Sequence, residues 1–226
     1  MHGGPVLSRP GGLRAGPTLF ERELLRRILI SISLTLLAAA ANPAEIDRAA
    51  AAVNGYEAQF THSFTPKGFK SPQIESGSVI FGKLPAMRWT YARPEQKTFV
   101  FDGTRSWFYV PADKQVTVID IDDQRKRELP FLIVGDAAAR ERHFVVREQR
   151  RGSQIMTTLQ PRDAGSLMRT ITVSSSSASH LIDSIEYTDR DGNRTLFAFS
   201  GYHPARVSAD TFSFAVPAGV QVVRGD

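Results

Sequence analysis

The side chains of this sequence that could do chemistry are its histidines, serines and acidic residues, and none of them has the spacing of a known catalytic or metal site. The five histidines form no H-E-x-x-H pair. No serine lies in a G-x-S-x-G turn, and no S-x-x-K motif precedes a K-T-G box. The absence of cysteine excludes disulfides, thiolate zinc sites and a lipidated N-terminal cysteine. We therefore expect no catalytic residue, no metal and no cofactor, and we predict that the protein is not an enzyme.

Two short charged segments require a separate interpretation. Asp120, Asp122 and Asp123 lack the glycine and the terminal glutamate of a calcium loop, so we interpret them as a solvated turn. The basic run 125–127 is interpreted as a solvated loop or, alternatively, as a docking patch for a partner or for anionic lipid headgroups. Residues 1–41 hold five of the 28 basic and two of the 23 acidic residues, which leaves the remainder near +2. We therefore do not expect nucleic-acid binding.

Aromatic and branched apolar side chains are abundant and alternate with polar ones, a period of two that predicts strands with one buried face. For any single residue, packing in a filled core is the simpler interpretation. Together these residues are numerous enough to line a cavity instead, and the alternation alone does not separate the two. The candidate cavity residues are Phe60, Phe64, Met87, Trp89, Tyr91, Phe99, Phe101, Trp107, Tyr109, Val116 and Val118.

The first 41 residues predict a secretory leader. A basic segment precedes the uncharged run 28–37 and alanines follow it, which is the order of a signal peptide cleaved after Ala40 or Ala41. An uncleaved anchor is the less favoured alternative, because a bilayer needs roughly 20 apolar residues. We predict that residues 1–41 are removed and that 42–226 form a single domain.

The mature region predicts a mainly β domain. One amphipathic helix is expected over 42–53, followed by ten or eleven short strands with hairpin turns at 102–103 and 191–192. Two segments interrupt the strands. The apolar cluster 130–135 is interpreted either as a lid or as core, and 204–211 as a short helix or helical turn. This pattern is typical of an antiparallel sandwich or barrel.

The order of several landmarks closely resembles the outer-membrane lipoprotein carrier family, the LolA proteins. In chain order the landmarks are PAMRWTY at 85–91, DG at 102–103, WFYVP at 107–111 and QV at 115–116. Residues 55–61 resemble the first strand of the family, 130–134 its central apolar helix and 212–222 its closing strand. No single landmark is specific, but their fixed order is.

The resemblance implies an incomplete, strongly curved antiparallel β-barrel, here of about 10–11 strands, covered by short α-helices that act as a lid over an apolar cavity. The lid would comprise Pro130, Phe131, Leu132 and Ile133. The implied function is that of a periplasmic chaperone that binds the acyl chains of lipoproteins released from the inner membrane and delivers them to the outer membrane. The implied partners are acylated lipoproteins as cargo, an ATP-driven transporter in the inner membrane and a lipoprotein acceptor at the outer membrane. The carrier would act as a monomer.

One position departs from the family pattern. Family members commonly place an arginine directly before the strand-opening proline, where it holds the lid shut through hydrogen bonds to the lid backbone. Here that position is Leu84. Lys83 and Arg88 are the candidate substitutes for this lid lock, although a lysine does not reproduce the planar five-donor fork of arginine.

Two further functions stay open from the sequence. The same fold would suit a lipid- or glycolipid-binding sensor or regulator of the cell envelope. A secreted hydrolase with an unrecognised site is the remaining alternative. A bound free lipid without an attached polypeptide would favour the sensor, and broad hydrolase screening would test the enzyme.

Overall fold

Alternating apolar and polar residues continue along most of the chain after Tyr56, and these segments form strands. The computed structural model describes residues 44–225, and this part of the chain contains 12 strands in one curled, open sheet. The strands are β1 (Tyr56–Thr65), β2 (Gln73–Phe81), β3 (Met87–Arg93), β4 (Lys97–Phe101), β5 (Arg105–Val110), β6 (Gln115–Asp120), β7 (Phe144–Arg151), β8 (Gln154–Pro161), β9 (Met168–Ser176), β10 (Ile182–Asp189), β11 (Arg194–Pro204) and β12 (Gln221–Arg224). The order across the sheet is β12-β6-β5-β4-β3-β2-β1-β11-β10-β9-β8-β7.

The predicted mainly β fold is confirmed, with corrections at its closing end. The strand count in the described region is 12 rather than ten or eleven. The closing strand is confined to β12, which pairs in parallel with β6, whereas the other pairings are antiparallel. Residues 212–216 form no strand, because the segment instead packs onto the sheet, with the ring of Phe214 5.4 Å from that of Tyr109. The predicted helix within 204–211 is a short 3₁₀ turn at Ala209–Phe212.

Within residues 44–225, four short α-helices accompany the sheet. They are α1 (Glu45–Ala52), α2 (Asp123–Glu128), α3 (Pro130–Val134) and α4 (Ala137–His143). None of the helices within residues 44–225 has the length and apolarity needed to cross a bilayer. The predicted leader at 1–41 lies outside the described residues.

The breaks between α2, α3 and α4 follow from capping residues. The carboxylate of Asp122 accepts a hydrogen bond from the amide of Arg125 and begins α2. Pro130 occupies the first turn of α3, where its missing N–H is not needed. The carboxylate of Asp136 accepts from the amide of Ala139 and begins α4. The chain therefore folds back twice within roughly 20 residues and keeps α3 short.

The sheet has two different faces. Directly opposed residues of neighbouring strands share a face, and Trp89 opposes Phe99, which in turn opposes Phe108. We call this the inner face because it packs against α1 and α3, and the opposite one the outer face. The inner core comprises Ile46, Ala49 and Val53 of α1, Leu132, Ile133 and Val134 of α3, and strand residues that include Phe60, Phe81, Met87, Trp89, Phe101, Leu159 and Ile185. Full burial of each large side chain contributes roughly 1.5–3 kcal/mol.

Candidate functional site

An apolar cavity of about 210 Å³ lies between the inner face of the sheet and α3. It is lined by Met87, Trp89, Tyr91, Phe99, Leu129, Pro130, Phe131, Leu132, Tyr187 and Phe197. Burial raises the pKa of Tyr91 and that of Tyr187, so both phenols are neutral around pH 7. The wall therefore carries no charge, and it can bind hydrocarbon but offers no group for acid, base or nucleophilic chemistry.

Phe131 of α3 fills the middle of an aromatic cluster on this wall. Its ring lies 4.8 Å from Trp89 and 4.9 Å from Phe197, both in edge-to-face geometry. Phe60 packs behind Trp89 at 4.9 Å. Such aromatic pairs contribute about 0.5–1.5 kcal/mol each beyond area burial. Phe131 thus acts as a side-chain plug in the space between lid and sheet.

The cavity is small for an acyl chain while this plug is in place. Pockets that enclose drug-sized ligands measure roughly 300–1,000 Å³, whereas this one measures about 210 Å³. Moving Phe131 outward with α3 would enlarge the same apolar space. The ring of Phe131 therefore occupies part of the apolar space between α3 and the sheet.

Arg140 of α4 fixes the end of α3. Its Nη1 donates to the carbonyl oxygens of Ile133 at 2.9 Å and Val134 at 2.6 Å, and its Nη2 donates to the carboxylate of Asp47 in α1. The side chain is 3% exposed, and burial lowers its pKa while the charge of Asp47 opposes that shift. Because guanidinium stays protonated in proteins, one buried cation connects α1, α3 and α4. It donates to the carbonyl of Val134 and adds a second donor to the carbonyl of Ile133, which also accepts from the amide of Asp136.

This geometry corrects the predicted lid lock. Arg88 lies on the outer face and donates to the carbonyls of Thr211 and Ser213 at 3.5 and 3.2 Å, and Lys83 is exposed. Leu84 is buried instead and packs on the lid. The Cβ of Leu84 would lie 2.8 Å from a Cβ added at Gly135, so only glycine fits there.

Sequence reasoning missed Arg140 because it lies in the segment AAARERH, where no motif distinguishes it from Arg142. The only signal in the sequence was indirect, because Leu84 stands where an arginine was expected. The planar donor to the carbonyls at the end of α3 is Arg140 of α4. The chain places that donor after the lid rather than before it.

The predicted cavity residues divide into three groups. Met87, Trp89, Tyr91 and Phe99 line the cavity, as do the predicted lid residues Pro130, Phe131 and Leu132, while Ile133 is fully buried behind them. Phe60 and Phe101 belong to the inner face but are buried in the core. Phe64 lies in a neighbouring cavity.

The third group is a correction, because Trp107, Tyr109, Val116 and Val118 lie on the outer face. Trp107 opposes Val100 and Val118, whereas the inner-face residue Phe99 opposes Phe108. The run 107–110 (WFYV) within β5 is apolar throughout, so alternation inside this run could not indicate which set faces inward. The C-terminal segment that includes Phe214 covers part of this outer set.

A buried carboxylate holds α1 in place beside the lid. The carboxylate of Glu45 is 1% exposed, and it accepts hydrogen bonds from Ser175 at 2.8 Å and Arg48 at 3.0 Å. Nδ1 of His180 lies 3.0 and 3.1 Å from its two oxygens. Burial alone would raise the pKa of Glu45, but these hydrogen bonds outweigh it and the pKa is lowered. The group therefore stabilises the fold in its ionised form.

Replacing Glu45 with glutamine is expected to lower the free energy of unfolding at pH 7 by about 1–2 kcal/mol, since hydrogen bonds to a charged group are lost. A carboxylate with a lowered pKa in the folded state contributes stability above its ordinary pKa and loses it as the pH falls through the folded value. Urea unfolding between pH 7 and pH 3 should therefore show a shallower acid loss in Glu45→Gln than in the parent. Glu141→Gln, at an exposed site on α4, is the control. Parallel pH curves for Glu45→Gln and the parent would contradict this role.

Sequence comparisons identify relatives over most of the chain. The profile of the family described as "Outer membrane lipoprotein carrier protein LolA" matches residues 51–215. An outer-membrane lipoprotein carrier protein of Vibrio parahaemolyticus is 26% identical over 206 residues, covering 90% of this chain and 96% of the relative. A protein of the same name from Xanthomonas oryzae pv. oryzae is 29% identical over 211 residues, covering 90% and 98%.

Comparison with solved structures finds similar chains at lower sequence identity. A conserved protein from Thermus thermophilus superposes with a TM-score of 0.51 at 14% identity, covering 80% of this chain and 97% of that one. A LolA superfamily protein from Nitrosomonas europaea has a TM-score of 0.45 at 7% identity, covering 75% and 96%. The profile match over residues 51–215 agrees with the curled sheet, the apolar cavity and the helical cover described above, and the chain belongs to the outer membrane lipoprotein carrier (LolA) family.

Proposed function

We propose that this protein is a periplasmic chaperone that binds the acyl chains of lipoproteins and carries them from the inner to the outer membrane. The observation that carries the proposal is the uncharged aromatic cavity beneath α3 in a member of this family. The acyl chains would replace Phe131 against Met87, Trp89, Tyr91 and Phe99. The protein would act as a carrier and not as an enzyme.

Transfer energies explain why such a cavity is needed. Exposing a 16-carbon chain to water costs on the order of 12 kcal/mol, at about 0.8 kcal/mol for each CH₂. A carrier must replace most of that contact with its own apolar surface, but it must also release the chain again. The lid meets both needs, because its own aromatic side chain recovers part of the apolar contact when the cargo leaves.

The proposed route follows from the leader and from the family. A signal peptide in residues 1–41 would direct the mature chain to the periplasm. The proposed donor is an ATP-driven transporter that releases lipoproteins from the inner membrane, and the proposed acceptor is a lipoprotein receptor at the outer membrane. Neither partner requires a covalent intermediate on this chain.

The test is to purify the mature protein from an envelope extract and to identify what elutes with it by mass spectrometry. The proposal predicts acylated lipoproteins in the bound fraction, and release of lipoproteins from inner-membrane vesicles when the carrier and ATP are added. A free lipid or glycolipid without attached polypeptide would instead support an envelope sensor. An empty protein that also fails in the release assay would overturn the carrier proposal.

A further inference from the structure

A second cavity adjoins the apolar one on the inner face. It measures about 390 Å³ and is lined by His62, Phe64, Gln73, Ile74, Glu75 and Pro94. The ring of His62 stacks on Phe197 with centroids 4.2 Å apart and planes 5° apart, and Phe197 also lines the apolar cavity. In this stacked pair, His62 lines the second cavity and Phe197 lines the apolar cavity. The wall of the second cavity contains both apolar and charged or polar side chains, whereas the wall of the apolar cavity contains no charged side chain.

Three ionisable side chains meet at this boundary, and we call them the polar triad: His62, Glu75 and Lys97. Lys97 donates to Oε1 of Glu75, and Nδ1 of His62 lies 3.2 Å from Oε2 of the same carboxylate. The side chains are only 19%, 23% and 17% exposed, respectively. The Lys97 ammonium also lies 5.1 Å above the ring of Tyr91, which lines the apolar cavity. The polar triad is thus in contact with the cavity wall.

The polar triad has little value for stability alone. Burying charged groups costs free energy that an ion pair only partly returns, and apolar residues at such positions are often equally stable or more so. Because the lining of the adjoining cavity carries no charged side chain, a sheet built only to hold hydrocarbon would not need these groups. A polar part of the ligand would give them a use.

The protonation states indicate which chemistry that part has. Burial lowers the pKa of His62, so its ring is neutral at pH 7. Burial alone would raise the pKa of Glu75, but the hydrogen bond and charge of Lys97 lower it overall, so the carboxylate is ionised. Lys97 and Glu75 cancel in charge, and a Lys ammonium has two N–H donors beyond the one directed to Glu75. Such a neutral site with spare donors suits carbonyl oxygens rather than a phosphate.

We propose that the polar triad binds the ester and amide carbonyls that join the acyl chains of a lipoprotein to its polypeptide. This inference rests on the proposed carrier function and assigns the polar part of the same cargo. The acyl chains would extend into the apolar cavity past Phe197. A carbonyl oxygen of the linkage would accept from Lys97, and the amide N–H of the linkage would donate to Nε2 of His62, because Nδ1 of the neutral ring donates to Glu75. The two cavities then match the two halves of an amphiphile and fix its direction in the carrier.

The test compares two probes on the mature protein. One is a fluorescent synthetic lipopeptide with ester- and amide-linked palmitoyl chains, and the other is diphenylhexatriene, a hydrocarbon without carbonyl groups. Lys97→Met keeps the length of the side chain but removes its donors, and it should weaken lipopeptide binding about tenfold while leaving diphenylhexatriene binding unchanged. Lys114→Met, in the exposed turn between β5 and β6, is the control and should change neither. His62→Phe, which preserves the stack on Phe197, is the second variant and should weaken the lipopeptide alone.

The outcomes separate this inference from the carrier proposal. If the parent protein binds diphenylhexatriene but no lipopeptide, the carrier proposal itself fails, and this inference with it. If the parent binds the lipopeptide and both Lys97→Met and His62→Phe bind it equally well, the carrier proposal stands and the role of the polar triad is overturned. An equal loss of both probes in folded Lys97→Met would also overturn it, because the residue would then act through the shape of the cavity.

Discussion

Arg140→Met is expected to lower the free energy of unfolding by about 2–4 kcal/mol, since two charge-assisted hydrogen bonds and an ion pair are lost. Methionine has a similar length without the charge or the donors. The carbonyl of Val134 would lose its buried side-chain donor and that of Ile133 would keep only the amide of Asp136, whereas the half-exposed Asp47 can be solvated. The loss should concentrate at the lid, so hydrogen exchange of the amides in 129–136 should accelerate more than exchange in the sheet.

Two matched variants make the Arg140 result specific. Arg142→Met, two residues along α4 at an exposed position, should leave both stability and lid exchange unchanged. Arg140→Lys restores the charge but not the fork and should give an intermediate loss. Lid exchange in Arg140→Met that equals the parent's would contradict the assignment of Arg140 as the residue that fixes the lid.

Phe131→Ala is expected to tighten the binding of an apolar probe while lowering the free energy of unfolding by about 2–4 kcal/mol. The ring competes with ligand for the space between Trp89 and Phe197. Removing it destabilises the closed lid, and apparent affinity rises as the fraction of open protein rises. Fluorescence titration with diphenylhexatriene and urea unfolding would measure the two effects.

The control for Phe131 is an aromatic residue elsewhere on the surface. Phe69 is 70% exposed, so Phe69→Ala should change neither property. If Phe131→Ala binds the probe more weakly than the parent, Phe131 serves as part of the ligand wall and not as a plug. Arg140→Met should also bind the probe more tightly than the parent. The double variant should gain less affinity, in free-energy terms, than the sum of the two single gains, because both changes act on the same closing step.

The polar triad and β5 together show where the alternation of apolar and polar residues along a strand identifies its buried face and where it does not. In β1 the alternation that begins at Tyr56, Ala58 and Phe60 continues at His62 and Phe64, and His62 opposes Glu75. The same reasoning could not assign Trp107 and Tyr109 to a face, since the run 107–110 of β5 is apolar throughout and shows no alternation. The face of such a strand depends on which residues of the neighbouring strands oppose it, and that register is a property of the assembled sheet.

Local patterns in the amino-acid sequence specify many elements of this protein, although residues 125–127, interpreted from the sequence as a solvated loop or a docking patch, lie in α2. Alternating hydrophobicity specifies most of the strands, and capping residues such as Asp122 and Asp136 specify where two of the helices begin. The ordered landmarks from 85 to 116 indicate the family. These properties depend on residues close together in the chain, so local conformational preference and burial are enough to encode them.

Contacts between residues that lie far apart in the sequence could be identified only from the tertiary structure. Arg140 reaches Asp47 across 93 positions of sequence, and Glu45 reaches His180 across 135. The plug at Phe131 and the outward orientation of Trp107 likewise depend on how the sheet curls and how its strands align. Such contacts arise when distant segments bury a common apolar face, and the free energy of that burial depends on the assembled geometry, which no local pattern contains.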